Sequence, residues 1–199
     1  KNGYGAKLVN IFSKKFTIET VDAYNTKKFK MNFYDNKTRK DKPSIRTFSG
    51  KPYTKITYIP DYERFNSKGL TDDMESLILT RAYDLAAFTD SKVSIYYNGE
   101  KIDCKSFTKF IDLFLGDKKE YPRVYEQIND RWEVAVALSP SLSFEHISFV
   151  NGINTHKGGK HVDYIVNQIS KKLSAYILKK RKIHVKQNFI KDNIIVFIK

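Results

Sequence analysis

Apolar and polar residues alternate from Phe16 to Val21 and again from Phe29 to Tyr34, the two-residue period of half-buried strands. Turn-forming "DNKT" follows, and "YTKITYIPD", Tyr53 to Asp61, is a third β-branched and aromatic run, stopped by Pro60. Thr71 stands at a predicted helix N-cap, ahead of Met74, Leu77, Ile78, Ala82 and Leu85 at helical spacing on one face. The first half therefore reads as strands with a covering helix.

"KVSIYYNGEKI" predicts a hairpin across Asn98 and Gly99. The pattern then restarts near Cys104 and Lys105. A helix is expected over Ser106 to Phe114, with Phe107, Phe110, Ile111 and Phe114 as its core stripe, followed by strands at Val124 to Asn129, Trp132 to Leu138 and Phe144 to Val150. Trp132 is a predicted core residue. Val162, Ile165, Val166, Ile169, Leu173, Tyr176 and Ile177 then keep a helical stripe that ends in "KKRK", and Ile194 to Ile198 forms a last strand. Both halves mix strands and helices, so the fold class is α+β, with a boundary expected between residues 104 and 105 and no internal repeat or low-complexity segment.

Composition adds a bias and removes some options. With 199 residues, 41% of them hydrophobic, the chain can bury a core. Thirty-six Lys and Arg against 22 Asp and Glu leave a net charge of +14, which favours an anionic partner, either nucleic acid or an acidic membrane surface. The stretch from Asn151 to Lys199 holds much of that excess, although abundant Lys, Asn, Ile and Tyr also fit drift in an AT-rich genome. Cys104 is the only cysteine, so an internal disulfide and cysteine-rich zinc sites are excluded, and it reads as a small packing residue in a reducing interior. With no initiator Met, no signal-peptide pattern and no membrane-spanning apolar run, the expectation is a piece of a longer intracellular protein.

The candidate chemistry lies at the start, in "KNGYGAKL". A Gly3-Tyr4-Gly5 loop can turn backbone N–H groups toward phosphate oxygens, a helix beginning near Ala6 would add its positive end, and Lys7 would supply a mobile cation. The stretch lacks the spacing of GxxxxGKS and has no preceding strand, so an ordinary turn accounts for it equally well.

Several blocks together carry a resemblance. "KNGYGAKLVNIFSKKFTIET" is similar to the ATP-lid loop of the type IIA DNA topoisomerases of eukaryotes and large DNA viruses, members of the GHKL ATPase superfamily. "YTKITYIPD", "RAYDLAAFT", "NDRWEVAVALS" and "SFVNGINTHKGGKHVDYIVNQI" resemble later landmarks of that family in the same order. The resemblance implies that residues 1–104 are the C-terminal part of a GHKL (Bergerat-type) ATPase sandwich and that residues 105–199 are most of a ribosomal-protein-like α/β transducer domain. Asn2, Gly3, Tyr4, Gly5, Ala6 and Lys7 are then expected to bind ATP phosphates. Thr54 is expected near the adenine, though a threonine filling a β-pleat is an equal account of it. Lys179, Lys180, Arg181 and Lys182 are expected to contact DNA; a solvated helix end is the alternative.

The family's general base and its Mg2+ ligand would precede Lys1, so no catalytic residue and no metal ligand is expected in this chain. Glu19, Asp22 and Asp61 are taken as solvated strand ends or turns. Further implied are ATP and Mg2+ as cofactors, double-stranded DNA and a second copy of the chain as partners, no membrane, and a nuclear or, for a virus, host-cytoplasmic or replication-site location. The implied activity is ATP-driven passage of one duplex through a transient break in another. Another GHKL ATPase, of mismatch-repair or chaperone type, and a basic DNA-binding module are the alternatives. "KGGK", Lys157 to Lys160, reads as a turn rather than an anion nest, and His156 and His161 flank it without acidic or cysteine companions for a metal. One departure from the family pattern is Gly152, where close relatives tend to carry serine.

Overall fold

The computed structural model describes residues 3–199. The chain forms two compact units, one ending at Met74 and the other running from Glu75 to Lys199.

In the first unit, helix α1 (Tyr4–Ile11) leads into β1 (Ser13–Asp22), β2 (Lys27–Tyr34), β3 (Arg39–Lys40), β4 (Ser44–Thr47) and β5 (Tyr53–Pro60), followed by a 3-10 turn at Tyr62–Phe65. These strands form one antiparallel sheet in the order β3-β2-β1-β5, with β4 also on β2. The strand expected at β1 forms, but its burial does not alternate: Phe16 and Val21 are buried on opposite faces and residues 17–20 between them are half-buried, while Phe16 meets Phe33 of β2 edge-on with ring centroids 6.2 Å apart. "DNKT" forms the β2–β3 turn, where Asp35, Asn36 and Lys37 all have positive φ.

Helix α2 (Asp72–Phe88) starts as expected, with the Met74 amide donating to Thr71 Oγ1 at 3.3 Å. Of its expected stripe the structure buries Ala82 alone. Met74, Leu77, Ile78 and Leu85 are exposed, and the buried side chains are Ala82, Asp84, Ala86 and Ala87. The three alanines let a phenylalanine cluster approach the helix closely, with Phe88 and Phe149 centroids 4.0 Å apart. These alanines share one core with Ile102, Cys104 and Phe107, so the helix belongs to the second unit's core. The compact units accordingly divide before the restart at residue 104, because Cys104 and Phe107 complete a core that α2 begins.

The expected hairpin forms as β6 (Tyr96–Tyr97) and β7 (Glu100–Lys101). Helix α3 (Phe107–Leu115) is capped by Ser106, whose hydroxyl accepts from the Lys109 amide. Phe107, Phe110, Ile111 and Leu115 are buried; Phe114, expected in the same stripe, sits at the core's edge, 52% exposed yet packed against the Phe110 and Phe197 rings. Then come β8 (Arg123–Asn129), β9 (Trp132–Leu138), β10 (Glu145–Val150), β11 (Ile153–Asn154), α4 (Lys160–Arg181), α5 (Gln187–Asp192) and β12 (Ile194–Ile198). The sheet runs β11-β10-β12-β9-β8, with β12 parallel to β10 and antiparallel to β9.

Strand β12, "IIVFI", is buried along its whole length. Its residues alternate between two cores, Ile195 and Phe197 facing α2 and α3, Ile194, Val196 and Ile198 facing α4. A strand covered on both faces needs such an uninterrupted apolar run. Trp132 is half-buried at the margin of the α4 core rather than inside it. Asn151 and Gly152, at φ 52° and 72°, form the tight turn from β10 to β11.

Candidate functional site

Helix α1 is rooted at one end and open at the other. At its C-terminal end, Phe12 N–H donates to Leu8 O, the Asp61 amide donates to Phe12 O, Asn36 Nδ2 donates to Ile11 O, and Phe12 sits 5.5 Å from Phe65, centroid to centroid. Its N-terminal end, from Gly3 to Leu8, is exposed. Gly3 is the N-cap at φ 66°, a left-handed conformation that costs an L-residue roughly 1–2 kcal/mol. Among the described residues no side chain caps the helix and its first turn holds no acidic residue, so the first-turn amides are left for an external acceptor. A Cβ built on Gly3 or Gly5 would meet nothing within 4 Å. Lys7 lies over the Tyr4 ring, 5.8 Å from its centroid.

This donor set of uncapped amides, a nearby ammonium and no carboxylate fits a phosphate chain. Of the residues expected to hold one, Gly3, Tyr4, Gly5, Ala6 and Lys7 come together at this helix end, and Asn2 lies outside the described residues. The helix begins at Tyr4 rather than near Ala6, which places Gly5 inside its first turn. Thr54 stands apart. It is exposed on β5 opposite Thr20, about 24 Å of strand beyond Ser13 at the helix root.

Lys179, Lys180 and Arg181 form the last turn of α4, and Lys182 is its C-cap at φ 60°. All four are exposed. Cations there complement the negative end of the helix. The helix end is held from the other side by Ser174 Oγ, which donates to Val185 O at 2.7 Å. In "KGGK", Gly158 has φ 75°, and a Cβ on it would come within 3.2 Å of His146 Nε2, so ring packing and backbone conformation both require glycine. A turn therefore suffices as an account of this stretch.

The carboxylates taken as solvated behave differently from that expectation. Asp22 does close a turn, accepting from the Tyr24 and Asn25 amides. Asp61, however, is buried beside Arg64 and Lys14, and Glu19 accepts from the Tyr53 hydroxyl and pairs with Lys28 Nζ at 3.0 Å. The Tyr53 hydrogen bond, then Lys28, holds Glu19 below the usual carboxylate range. Strand register brings these residues together, and no motif announces it. Sequence reasoning also missed a recess of about 390 Å³ in the second unit, lined by Arg131, Trp132, Asn151, His161 and Lys199 among others.

A family model described as DNA gyrase B matches residues 97–199, just over half of the chain. The chain belongs to the DNA gyrase B family. Within it, the similarity extends to type II topoisomerases over the whole chain. DNA topoisomerase 2-alpha of Homo sapiens is 41% identical and DNA topoisomerase 2 of Acanthamoeba polyphaga mimivirus 43% identical across 100% of this chain. The chain spans only 13% and 16% of those two relatives. The ATPase region of Saccharomyces cerevisiae topoisomerase II superposes with a TM-score of 0.86 at 41% identity, and the ATPase and transducer domains of Balamuthia mandrillaris DNA topoisomerase II with 0.87 at 36%. Each covers all of this chain, which spans 51% of either solved chain. The mixed α+β architecture is that of this family member's ATPase region.

Proposed function

We propose that this chain is the lid-and-transducer portion of an ATP-dependent type II DNA topoisomerase, with residues 1–104 ending the ATPase domain and residues 105–199 forming most of the transducer. The observation that carries the reading is its similarity, end to end, to the ATPase region of topoisomerase II. The α1 end supports it locally. Gly3 turns the chain so that the first-turn amides point outward, and Lys7, one turn along, supplies a charge that can follow the phosphates. ATP when bound supplies a γ-phosphate, the group by which a closed state differs from an open one.

Because α1 is rooted at Phe12 against Asp61 and Phe65, ordering its free end would be felt at the start of β1 and the end of β5. In this reading closure pairs two copies of the chain, and Lys179 to Lys182 meet duplex DNA through phosphates. The first turn of α1 offers no carboxylate, so Mg2+ would find its ligands elsewhere than at this helix end. Among the described residues, no helix is long and apolar enough to cross a membrane.

The test is relaxation of a supercoiled plasmid by the full-length protein. ATP-dependent changes of linking number in even steps are expected, because a whole duplex passes at each cycle. Odd steps, or relaxation indifferent to ATP, would refute the proposal. Residues 1–199 alone should release no phosphate from ATP, since the general base is expected elsewhere.

A further inference from the structure

Strand register sorts the first sheet into two unlike faces. Phe16, Ile18, Met31, Phe33 and Ile56 share one of them. On the other, Lys15 lies between Tyr34 and Ile59, Thr17 between Asn32 and Thr57, and Glu19 between Lys30 and Lys55, while Arg46 opposes Lys28. This second face also carries Tyr34, Tyr53, Ile59 and, at its far end, the buried Val21; its other positions are polar and predominantly basic. Its acidic groups are already engaged, Glu19 by Lys28 and Tyr53, and Asp41 by Asn32 Nδ2 and the Tyr34 hydroxyl. Among the described residues, no carboxylate comes within ion-pair distance of Lys15, Lys30, Arg46 or Lys55, and all four are exposed.

We infer that this sheet face is a docking surface for the phosphate backbone of duplex nucleic acid. Charge complementarity and spacing support that occupant. Lys30 and Lys55 sit on either side of β1, about 10 Å apart, and Lys15 lies about 14 Å along the same strand. About 14 Å of duplex presents roughly eight phosphate charges, so three lysines at this spacing can each find a phosphate in one stretch. A shallow depression of about 230 Å³ between Lys15 and Lys30 is lined by Thr17 and Thr57; Thr17 Oγ1 already donates to Asn32 Oδ1 at 2.9 Å, which leaves the Thr57 hydroxyl to donate to a phosphate oxygen.

Single strands are the weaker fit. Their binding uses bare aromatic platforms for base stacking, and here Arg39 lies 4.2 Å from the Tyr34 ring centroid while the Tyr34 hydroxyl is held by Asp41. The contact is therefore to the backbone and indifferent to base sequence. The surface lies on β1, β2 and β5, remote in sequence from Lys179 to Lys182, and it does not depend on the lid reading.

The experiment measures binding of a thirty-base-pair DNA duplex to the full-length protein, without nucleotide, over a range of salt. The variant carries Lys15→Gln, Lys30→Gln and Lys55→Gln, with circular dichroism to verify folding and the matching triple Lys→Arg variant as rescue. The Gln variant should bind at least tenfold more weakly at low salt. Its log-affinity against log-salt slope should be shallower by up to about 2.7, or about 0.9 for each phosphate that a lysine no longer neutralises. The Arg variant should retain the wild-type slope, and a single strand of equal length should lose less affinity than the duplex. An unchanged slope overturns the inference. So does equal loss for single and double strands, or loss confined to a polyglutamate probe, which would make the partner an acidic protein. Because nucleotide is absent, failure of the lid reading would leave this result untouched.

Discussion

Replacing Gly5 with alanine separates what the fold needs from what a ligand needs. Gly5 is the second residue of α1, and a Cβ placed on it meets no atom of the protein within 4 Å. The fold should therefore accept alanine and gain from it: removing glycine's excess unfolded-state freedom at a compatible site is worth about 0.4–1 kcal/mol. Read as amide exchange across α1, that gain slows opening roughly twofold to fivefold. A phosphate oxygen drawn onto the first-turn amides would meet the new methyl group. Losing a hydrogen bond to a charged group costs about 1.5–3 kcal/mol, which is about tenfold to a hundredfold in affinity. The assay pairs hydrogen exchange with titration of a non-hydrolysable ATP analogue on full-length protein. Protection should rise while affinity falls. Unchanged affinity would remove Gly5 from the nucleotide site, and faster exchange would show that glycine is required by the fold.

Other outcomes follow from particular side chains. Replacing Lys179, Lys180 and Lys182 with alanine should weaken duplex binding and flatten its salt dependence by up to about 0.9 for each phosphate left unneutralised; an unchanged slope would return the run to a solvated helix end. His146 is held below its usual value of 6.5, first by burial and then by His161, with Asp163 acting in the opposite sense. The unfolded chain thus takes up a proton at a higher pH than the folded one does. Stability should be full above about pH 6.5 and decline as pH falls below it, and His146→Gln should flatten that decline in thermal melts; an equally steep decline in the variant would exclude His146. Burial pushes the Cys104 thiol up, so alkylation by iodoacetamide at neutral pH should be slow in the native protein and fast in denaturant. Equal rates would contradict that burial.

Long regular elements were legible because their period repeats. β1, β2, β5, β8, β9, β12 and α4 carry enough alternating or helical positions to be placed within a few residues. β3, β4 and β11 are too short to show a period, and α5 has only six residues. The buried face of α2 was misread for a different reason. Hydrophobic size suggested Met74, Leu77, Ile78 and Leu85 beside Ala82, yet close packing against phenylalanines kept only Ala82 of these and added the small Ala86 and Ala87. At the candidate site, the glycines and Lys7 were visible as a local string, since a loop and its helix are contiguous. The Glu19–Lys28–Tyr53 network was not, because its members lie up to 34 residues apart and meet only through strand register.

The most direct test of the account is nucleotide affinity of the full-length protein with Lys7 replaced by alanine, measured with a non-hydrolysable ATP analogue at low and moderate salt. Lys7 is exposed and makes no ion pair among the described residues, so its removal should leave the fold intact. The account predicts at least tenfold weaker binding at low salt, with the gap narrowing as salt screens the missing charge. Affinity equal to wild type at both salt concentrations would contradict the claim that the α1 end holds the phosphates.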